Sequence, residues 1–248
     1  MILVYRLLIN LIVIFSPLIV IIRLIKKKEH FIRFKEKFAL FSKKRTRGNL
    51  VWFHGASVGE LMSVIPLIEK LEKKRDIKQI LVTTSTLSSA KIFNRFKFKK
   101  TIHQFFPVDT NYLSKKFLSY WKPNLAIFID SEIWPNMLTN LKKKSISHIL
   151  LNARITKKSF KRWCSLGSFA ENLFKGFDYT YPQNDETAKY LKYLRVKKIK
   201  KIGNLKFSES TSDSNKSTNL DLQKFLNNKK YWCAASTHEG EEVIAANV

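Results

Sequence analysis

Along most of the chain, short apolar runs alternate with longer segments whose apolar residues recur at every third or fourth position. Residues 50–54, 79–84, 101–106, 125–130, 148–152 and 179–183 form the runs; they are rich in Val, Ile and Phe, and they predict strands. Residues 58–74, 88–96, 111–120, 134–144, 160–177 and 185–193 carry the helical period. Strands apolar on both faces, each followed by a helix, predict an α/β fold with a Rossmann-like, doubly wound parallel sheet. Residues 198–202 suit a seventh strand or a crossing connection, and the Ser-rich stretch 208–219 reads as a linker. Past it, a short helix at 220–226, a strand at 230–235 and a helix from Glu239 resemble the opening of a second α/β domain. The residues left for it, about 40 at most, are too few to complete one.

The N-terminus has a different pattern. Residues 7–22 (LLINLIVIFSPLIVII) are interrupted only by Asn10, Ser16 and Pro17. With its flanks, 2–25 spans roughly 36 Å as one helix, against a hydrocarbon core of about 30 Å. Arg6 and Arg23 sit near its ends, where they can snorkel. No small-x-small cleavage site follows, so a signal-anchor is expected rather than a cleaved leader. Lys26, Lys27, Lys28, Arg33, Lys35 and Lys37 place the body on the cytoplasmic face of the inner (plasma) membrane. Phe31, Phe34, Phe38 and Phe41 interleave with these cations, which suits a basic amphipathic helix on an anionic membrane surface. The other reading is a hydrophobic helix buried in the protein. The resulting plan is an anchor helix (1–28), a membrane-proximal segment (29–48), an N-terminal domain (49–207), a linker (208–219) and the start of a second domain (220–248).

Composition narrows the partners. The 248 residues carry a net charge of +27 with 45% hydrophobic content, which implies a folded core and a polyanionic partner. An AT-rich genome, favouring Lys, Asn, Ile and Phe codons, produces the same sign. Cys164 and Cys233 are the only cysteines, so neither a disulfide framework nor a cysteine metal set is expected.

Candidate chemistry lies at the predicted strand ends. In VWFHGASVGE a strand closes at His54, turns through small residues and enters a helix whose first turn holds Glu60. Ser57-Val58-Gly59-Glu60 fits the S-x-x-E capping box, in which Glu60 is a helix cap. A carboxylate at the carboxyl end of a strand in an open α/β sheet is also a candidate general base. Gly55 and Gly59 would let a ligand approach the backbone closely. Asp130 and Glu132 end another strand, with Pro135 in the next helix's first turn. They can orient a base or raise each other's pKa, or cap that helix. Thr84 and Ser85 offer hydroxyls near a helix start, and Asn152 and Arg154 end the fifth strand, where an Arg can grip phosphate. Ordinary capping accounts for the hydroxyls equally well. Lys206, just before the linker, can neutralise a leaving phosphate, or be one solvated lysine among many. Ser236-Thr237-His238-Glu239 enters an acidic helix start; Glu242 stands where a zincin motif needs its second His, so zinc is not implied. No G-x-G-x-x-G or P-loop occurs, and neither cofactor nor metal is expected.

Taken in order, HGASVGE, TTSTLSSA, FPVDT, DSEIWPN, LNARITKKSF, QNDETAKYL, GNLKF and ASTHEGEE make the chain resemble the 3-deoxy-D-manno-octulosonic acid (Kdo) transferases of lipopolysaccharide biosynthesis. That resemblance implies a GT-B architecture, with the lipid A precursor held by the N-terminal domain and CMP-Kdo by the C-terminal one. It implies an inverting displacement with Glu60 as general base, Asp130 as a supporting acid and Lys206 at the transition state. Ser57, Gly59, Thr84, Ser85, Glu132, Asn152, Arg154, Ser236, Thr237, His238 and Glu239 become candidate substrate contacts. Two departures stand out. The family has Glu where this chain has Asp130, one methylene shorter, and the chain stops at Val248, short of the donor-binding motifs. It is therefore expected not to transfer Kdo alone. A non-catalytic, membrane-bound acceptor-binding remnant is the alternative; a membrane-tethered nucleic-acid-binding protein fits less well, for no nucleic-acid motif appears and no nucleic-acid partner is expected.

Overall fold

The computed structural model describes residues 1–203, 205, 227 and 240–246. The chain divides into two compact units, 1–209 and 210–248. In the second unit the described secondary structure is one helix, Glu241–Ala246; the expected helix at 220–226 and strand at 230–235 lie outside the described residues.

The first unit is built on six parallel strands: β1 (Asn49–His54), β2 (Ile77–Thr84), β3 (Thr101–Phe105), β4 (Leu125–Ile129), β5 (Ser147–Ala153) and β6 (Tyr179–Pro182). Their order is β3-β2-β1-β4-β5-β6, so the chain winds outward from β1, returns beside it at β4 and winds the other way. A crevice opens at such a reversal, outside the carboxyl ends of β1 and β4. His54 ends one of these strands, and Asp130 follows the other.

The period-two alternation of β1 serves two cores. Leu50 and Trp52 join Phe117, Trp121, Phe128 and Phe174 on one face of the sheet. Val51 and Phe53 join Leu61, Ile65, Ile68 and Ile80 on the other. All four strand residues are buried, as expected of a parallel strand covered by helices on both sides.

The helices of this unit are α1 (Ile2–Ile14), α2 (Ser16–Ile25), α3 (Val58–Glu72), α4 (Leu87–Phe93), α5 (Asn111–Trp121), α6 (Pro135–Lys143), α7 (Lys157–Ser165), α8 (Ser168–Phe174) and α9 (Asp185–Tyr193). Four predicted elements differ. The single helix at 160–177 is two, broken where Gly167 takes a positive φ of 52°. Strand 125–130 stops at Ile129, because Asp130 turns into the left-handed region at φ 60°. The seventh strand reduces to one bridge, Thr180 to Ile199.

The fourth difference is the N-terminus. No single described helix is long and apolar enough to cross a membrane; α1 and α2 form a pair bent by 53°. Pro17 lies in the first turn of α2, where its ring removes an N–H and crowds the preceding turn, and Ser16 Oγ instead bonds the Val13 carbonyl at 2.6 Å. Arg6, expected at a membrane end, donates to Asn136 Oδ1 (2.9 Å) and Asn111 Oδ1 (3.2 Å), fastening α1 to the domain. Residues 29–48 are not an amphipathic helix but a strap with one 3-10 stretch, Arg33–Phe38. Glu36 explains this: fully buried, it accepts from the Phe105 N–H (2.8 Å) and from Arg33 Nε (2.8 Å), pinning the strap to edge strand β3. Phe41 stacks on Tyr120 with ring centroids 4.0 Å apart.

Candidate active site

Glu60 sits where its sequence spacing places it, in the first turn of α3, with Ser57 as the N-cap. Ser57 Oγ accepts from the Glu60 N–H (3.3 Å) and donates to Glu60 Oε1 (2.9 Å). The other carboxylate oxygen, Oε2, accepts from the Ala56 N–H at 2.6 Å, one residue earlier than the reciprocal bond of a standard capping box. Gly55 makes room for this: a Cβ there would lie 3.0 Å from Glu60 Cβ and 3.2 Å from Ile129 Cδ1. Around Gly59 the space is open. Burial pushes the Glu60 carboxyl above its ordinary value, the charges of Glu132 and Asp130 push it further, and the Ser57 and Ala56 hydrogen bonds only partly offset them. A carboxyl perturbed this way at a sheet's switch point has the properties of a catalytic base.

Glu132 is the partner that the sequence pointed to but could not orient. Its Oε2 accepts from Trp134 Nε1 (2.7 Å) and lies 2.9 Å from His54 Nε2. Burial alone would raise Glu132; the His54 hydrogen bond and charge, with the Trp134 bond, outweigh it and leave the carboxyl below its ordinary value. Two nearby carboxyls displaced in opposite directions are the pattern expected of one ionised support and one adjustable base.

Asp130 is buried, donates its N–H to the Leu151 carbonyl (3.0 Å) and accepts at its own carbonyl from the Arg154 N–H (3.1 Å). The Arg154 side chain is exposed. Asn152, buried with φ 53°, receives the Leu205 N–H on Oδ1 at 3.2 Å. Ser85 is half-buried and its N–H reaches the Ala56 carbonyl (3.3 Å), which ties the turn after β2 to the turn that holds Glu60. Thr84 is fully buried and its hydroxyl bonds His103 Nε2 at 2.9 Å, a strut inside the fold rather than an open hydroxyl. Burial, followed by the charges of Arg33 and Lys43, pushes His103 down to about 3, so it is neutral and its Nδ1 accepts from Arg33. Lys206, Ser236, Thr237, His238 and Glu239 lie outside the described residues.

Sequence reasoning missed three residues. His54, Trp134 and Asp109 bear no recognisable catalytic spacing. The available signal was polarity out of place: a His closing an apolar strand, and an Asp within FPVDT. Asp109 caps α6, accepting from the Asn136 N–H (2.9 Å) and Met137 N–H (2.8 Å), and also from Tyr5 OH of α1 (2.9 Å).

Comparison with known proteins identifies the family of the chain. Residues 32–209 match the family described as 3-Deoxy-D-manno-octulosonic-acid transferase (kdotransferase). A 3-deoxy-D-manno-octulosonic acid transferase of Rickettsia bellii is 36% identical over 227 residues, covering 91% of this chain and 54% of the relative. The transferase of Rickettsia felis is 38% identical over 197 residues, covering 79% and 42%. An Arabidopsis thaliana protein named as a probable mitochondrial transferase of this type is 35% identical, covering 91% and 52%. The chain thus spans about half the length of the curated relatives it matches. A crystal structure of UDP-N-acetylglucosamine 2-epimerase superposes with a TM-score of 0.50 at 12% identity, covering 76% of this chain and 54% of that one, a likeness of fold. With the ordered motifs, the parallel sheet and the matched residues 32–209 in view, the chain belongs to the 3-deoxy-D-manno-octulosonic-acid transferase family.

Proposed function

We propose that this chain carries the acceptor-binding half and the general base of an inverting glycosyltransferase, acting in lipopolysaccharide biosynthesis. The donor is CMP-Kdo, the acceptor a lipid A precursor, and the whole enzyme has the two Rossmann-like domains of a GT-B fold. The observation that carries the reading is the state of Glu60: a carboxylate at the switch point, held by the Ala56 N–H and Ser57 Oγ, with its pKa raised by burial and by Glu132 and Asp130. Glu60 takes the proton from an acceptor hydroxyl as that oxygen attacks the anomeric carbon of Kdo, and CMP leaves with the bonding pair. Asp130 and Glu132 keep the base's surroundings anionic, and Lys206 neutralises the departing phosphate. Arg154, exposed beside Asp130, is a contact for an acceptor phosphate.

Membrane engagement belongs to the same proposal. Leu3, Leu7, Leu11, Ile14, Leu18, Ile21 and Ile25 are all exposed along the bent pair. A pair fastened to the domain through Tyr5 and Arg6 suits insertion into the plane of the cytoplasmic leaflet rather than a crossing, beside the basic strap.

The test joins this chain to the C-terminal half of the Rickettsia bellii relative and measures Kdo transfer to a lipid A precursor. Glu60→Gln is expected to lower turnover by about 10²–10⁴-fold. Binding of the precursor to the 248-residue chain is expected to persist in the same variant. Undiminished turnover in Glu60→Gln overturns the assignment of the base.

A further inference from the structure

We infer that His54 is a positioning residue for the site: its ring fixes the Glu132 carboxylate in place, and through Glu132 it sets the behaviour of Glu60. The inference rests on the reading of Glu60 as the base.

His54 is the last residue of β1 and fully buried, on the face that carries Leu50 and Trp52. Aromatic rings fix its plane. Phe106 stacks on it with centroids 3.7 Å apart at 16°, and Phe128 meets it edge-on at 5.8 Å and 81°. Phe106 is the first residue of FPVDT, a motif to which the proposed chemistry gives no role.

The hydrogen bonds set the ring's direction. Nδ1 lies 3.0 Å from Thr83 Oγ1 and 3.1 Å from the Thr83 carbonyl; Nε2 lies 2.9 Å from Glu132 Oε2. Thr83 Oγ1 accepts from Trp52 Nε1 at 2.8 Å and also bonds the Phe53 carbonyl at 3.3 Å, so Thr83 is itself held in place on the Nδ1 side of the ring. On the other side, the Oε2 of an ionised Glu132 can only accept, so the proton of the Nε2–Oε2 bond comes from His54. Trp52, Thr83, His54 and Glu132 are thus joined in one hydrogen-bonded series from the core to the crevice. Trp134 Nε1 closes the far side of the same oxygen. Glu132 therefore cannot swing away, and its side chain is only 11% exposed.

The consequence falls on Glu60. The charged groups that bear on it are Glu132 and Asp130, both acidic. As long as Glu132 stays ionised, Glu60 holds its proton to higher pH and is the stronger base when it lets go. Without His54, Glu132 loses a hydrogen-bonding partner and the two carboxyls come to share a proton on more equal terms. A histidine that merely filled the core would leave that balance untouched.

The experiment is a carboxyl ¹³C NMR titration of the 248-residue chain in detergent, with Glu60→Gln and Glu132→Gln used to assign the two signals. In the unsubstituted chain Glu132 is expected to titrate well below Glu60. In His54→Phe, which keeps a stacking ring and removes both nitrogens, the gap is expected to narrow by about one pH unit or more. His54→Gln, whose amide can still donate to Glu132, is expected to recover part of it. His54→Leu, which also removes both nitrogens and is smaller, carries the test if Phe at this position unfolds the chain. A gap that stays unchanged in a folded His54→Phe or His54→Leu chain overturns the inference. The titration needs no turnover, so a narrowed gap in a chain whose Glu60→Gln fusion still transfers Kdo would sink the base assignment and leave the link from His54 to Glu132 standing.

Discussion

Replacing Asp109 with Ala removes the joint between the apolar N-terminal pair and the helix that follows the acid motif. Asp109 is 1% exposed and accepts from three donors: the N–H groups of Asn136 and Met137 in the first turn of α6, and the hydroxyl of Tyr5 in α1. Its backbone carbonyl also accepts from Asn136 Nδ2 at 2.6 Å, a bond the substitution leaves in place. Loss of a helix cap costs about 0.5–2 kcal/mol, and each buried donor left without a partner about 1–3. Relief of a buried charge and entry of water return part of this, so a net loss of about 3 kcal/mol is expected at pH 7.5. For a chain of this size that lowers Tm by about 6–12 °C. Thermal unfolding in detergent, followed by tryptophan fluorescence, measures it. Limited proteolysis gives a second readout, with α1 cut faster once its Tyr5 bond is gone. Tyr5→Phe, which leaves the cap of α6 intact, is expected to lose only about 1 kcal/mol. A Tm drop under about 2 °C in Asp109→Ala, with α1 as well protected as before, would refute the claim that this carboxyl joins the two elements.

Other outcomes follow from the same geometry. Gly55→Ala places a methyl 3.0 Å from Glu60 Cβ and 3.2 Å from Ile129 Cδ1, displacing the carboxylate. Turnover of the fused enzyme is expected to fall about 10–100-fold with the fold retained, and equal turnover counts against a base held by this turn. Burial pushes the Asp109 carboxyl up to about 7, against the pull of the Asn136 and Met137 N–H groups, Tyr5 and Arg6. A raised folded-state value contributes stability that is complete below the unfolded value and lost as pH rises through 7; between pH 8 and 5.5 the chain is expected to gain about 2 kcal/mol on acidification. Urea titrations at the two pH values read that gain, and Asp109→Asn should abolish it. Leu7→Glu with Leu18→Glu alters two exposed side chains. It is expected to weaken co-sedimentation with anionic liposomes at least tenfold without changing Tm, and unchanged co-sedimentation argues against insertion of this face.

The sheet was legible because its signals are local. Parallel strands buried on both faces write themselves as apolar runs, and each of the six runs lies within a few residues of an observed strand. Departures occur where a single residue's backbone or a distant partner decides. Asp130 and Asn152 adopt positive φ with no glycine to announce it. Glu36 turns a basic, aromatic stretch into a strap because Phe105, 69 residues away, offers it an N–H. Glu60 could be placed from S-x-x-E spacing, and Asp130 and Glu132 from their position after a strand. Their directions could not be read, because they depend on His54, Trp134 and Ala56, which meet them only across the sheet or through the turn. Thr84 shows the converse: a hydroxyl at a strand end looked available, and His103 on the neighbouring strand takes it up.

These distant partners also explain why three separate motifs occur together in one chain. HGASVGE supplies Glu60, the proposed base, and, through His54, the support of its neighbour. DSEIWPN supplies that neighbour, Glu132, and through Asn136 the first turn of α6. FPVDT touches both: Phe106 covers the His54 ring, and three residues later Asp109 caps α6. Moving α6 along its axis would pull on Trp134 and hence on Glu132 Oε2, while moving Phe106 would free His54 to turn. Asp109 also receives Tyr5, so the apolar pair is fastened to the same carboxylate that caps the helix after the acid pair. The exposed apolar face proposed to engage lipid and Glu60, the proposed base, are thereby linked through one carboxylate and one helix terminus.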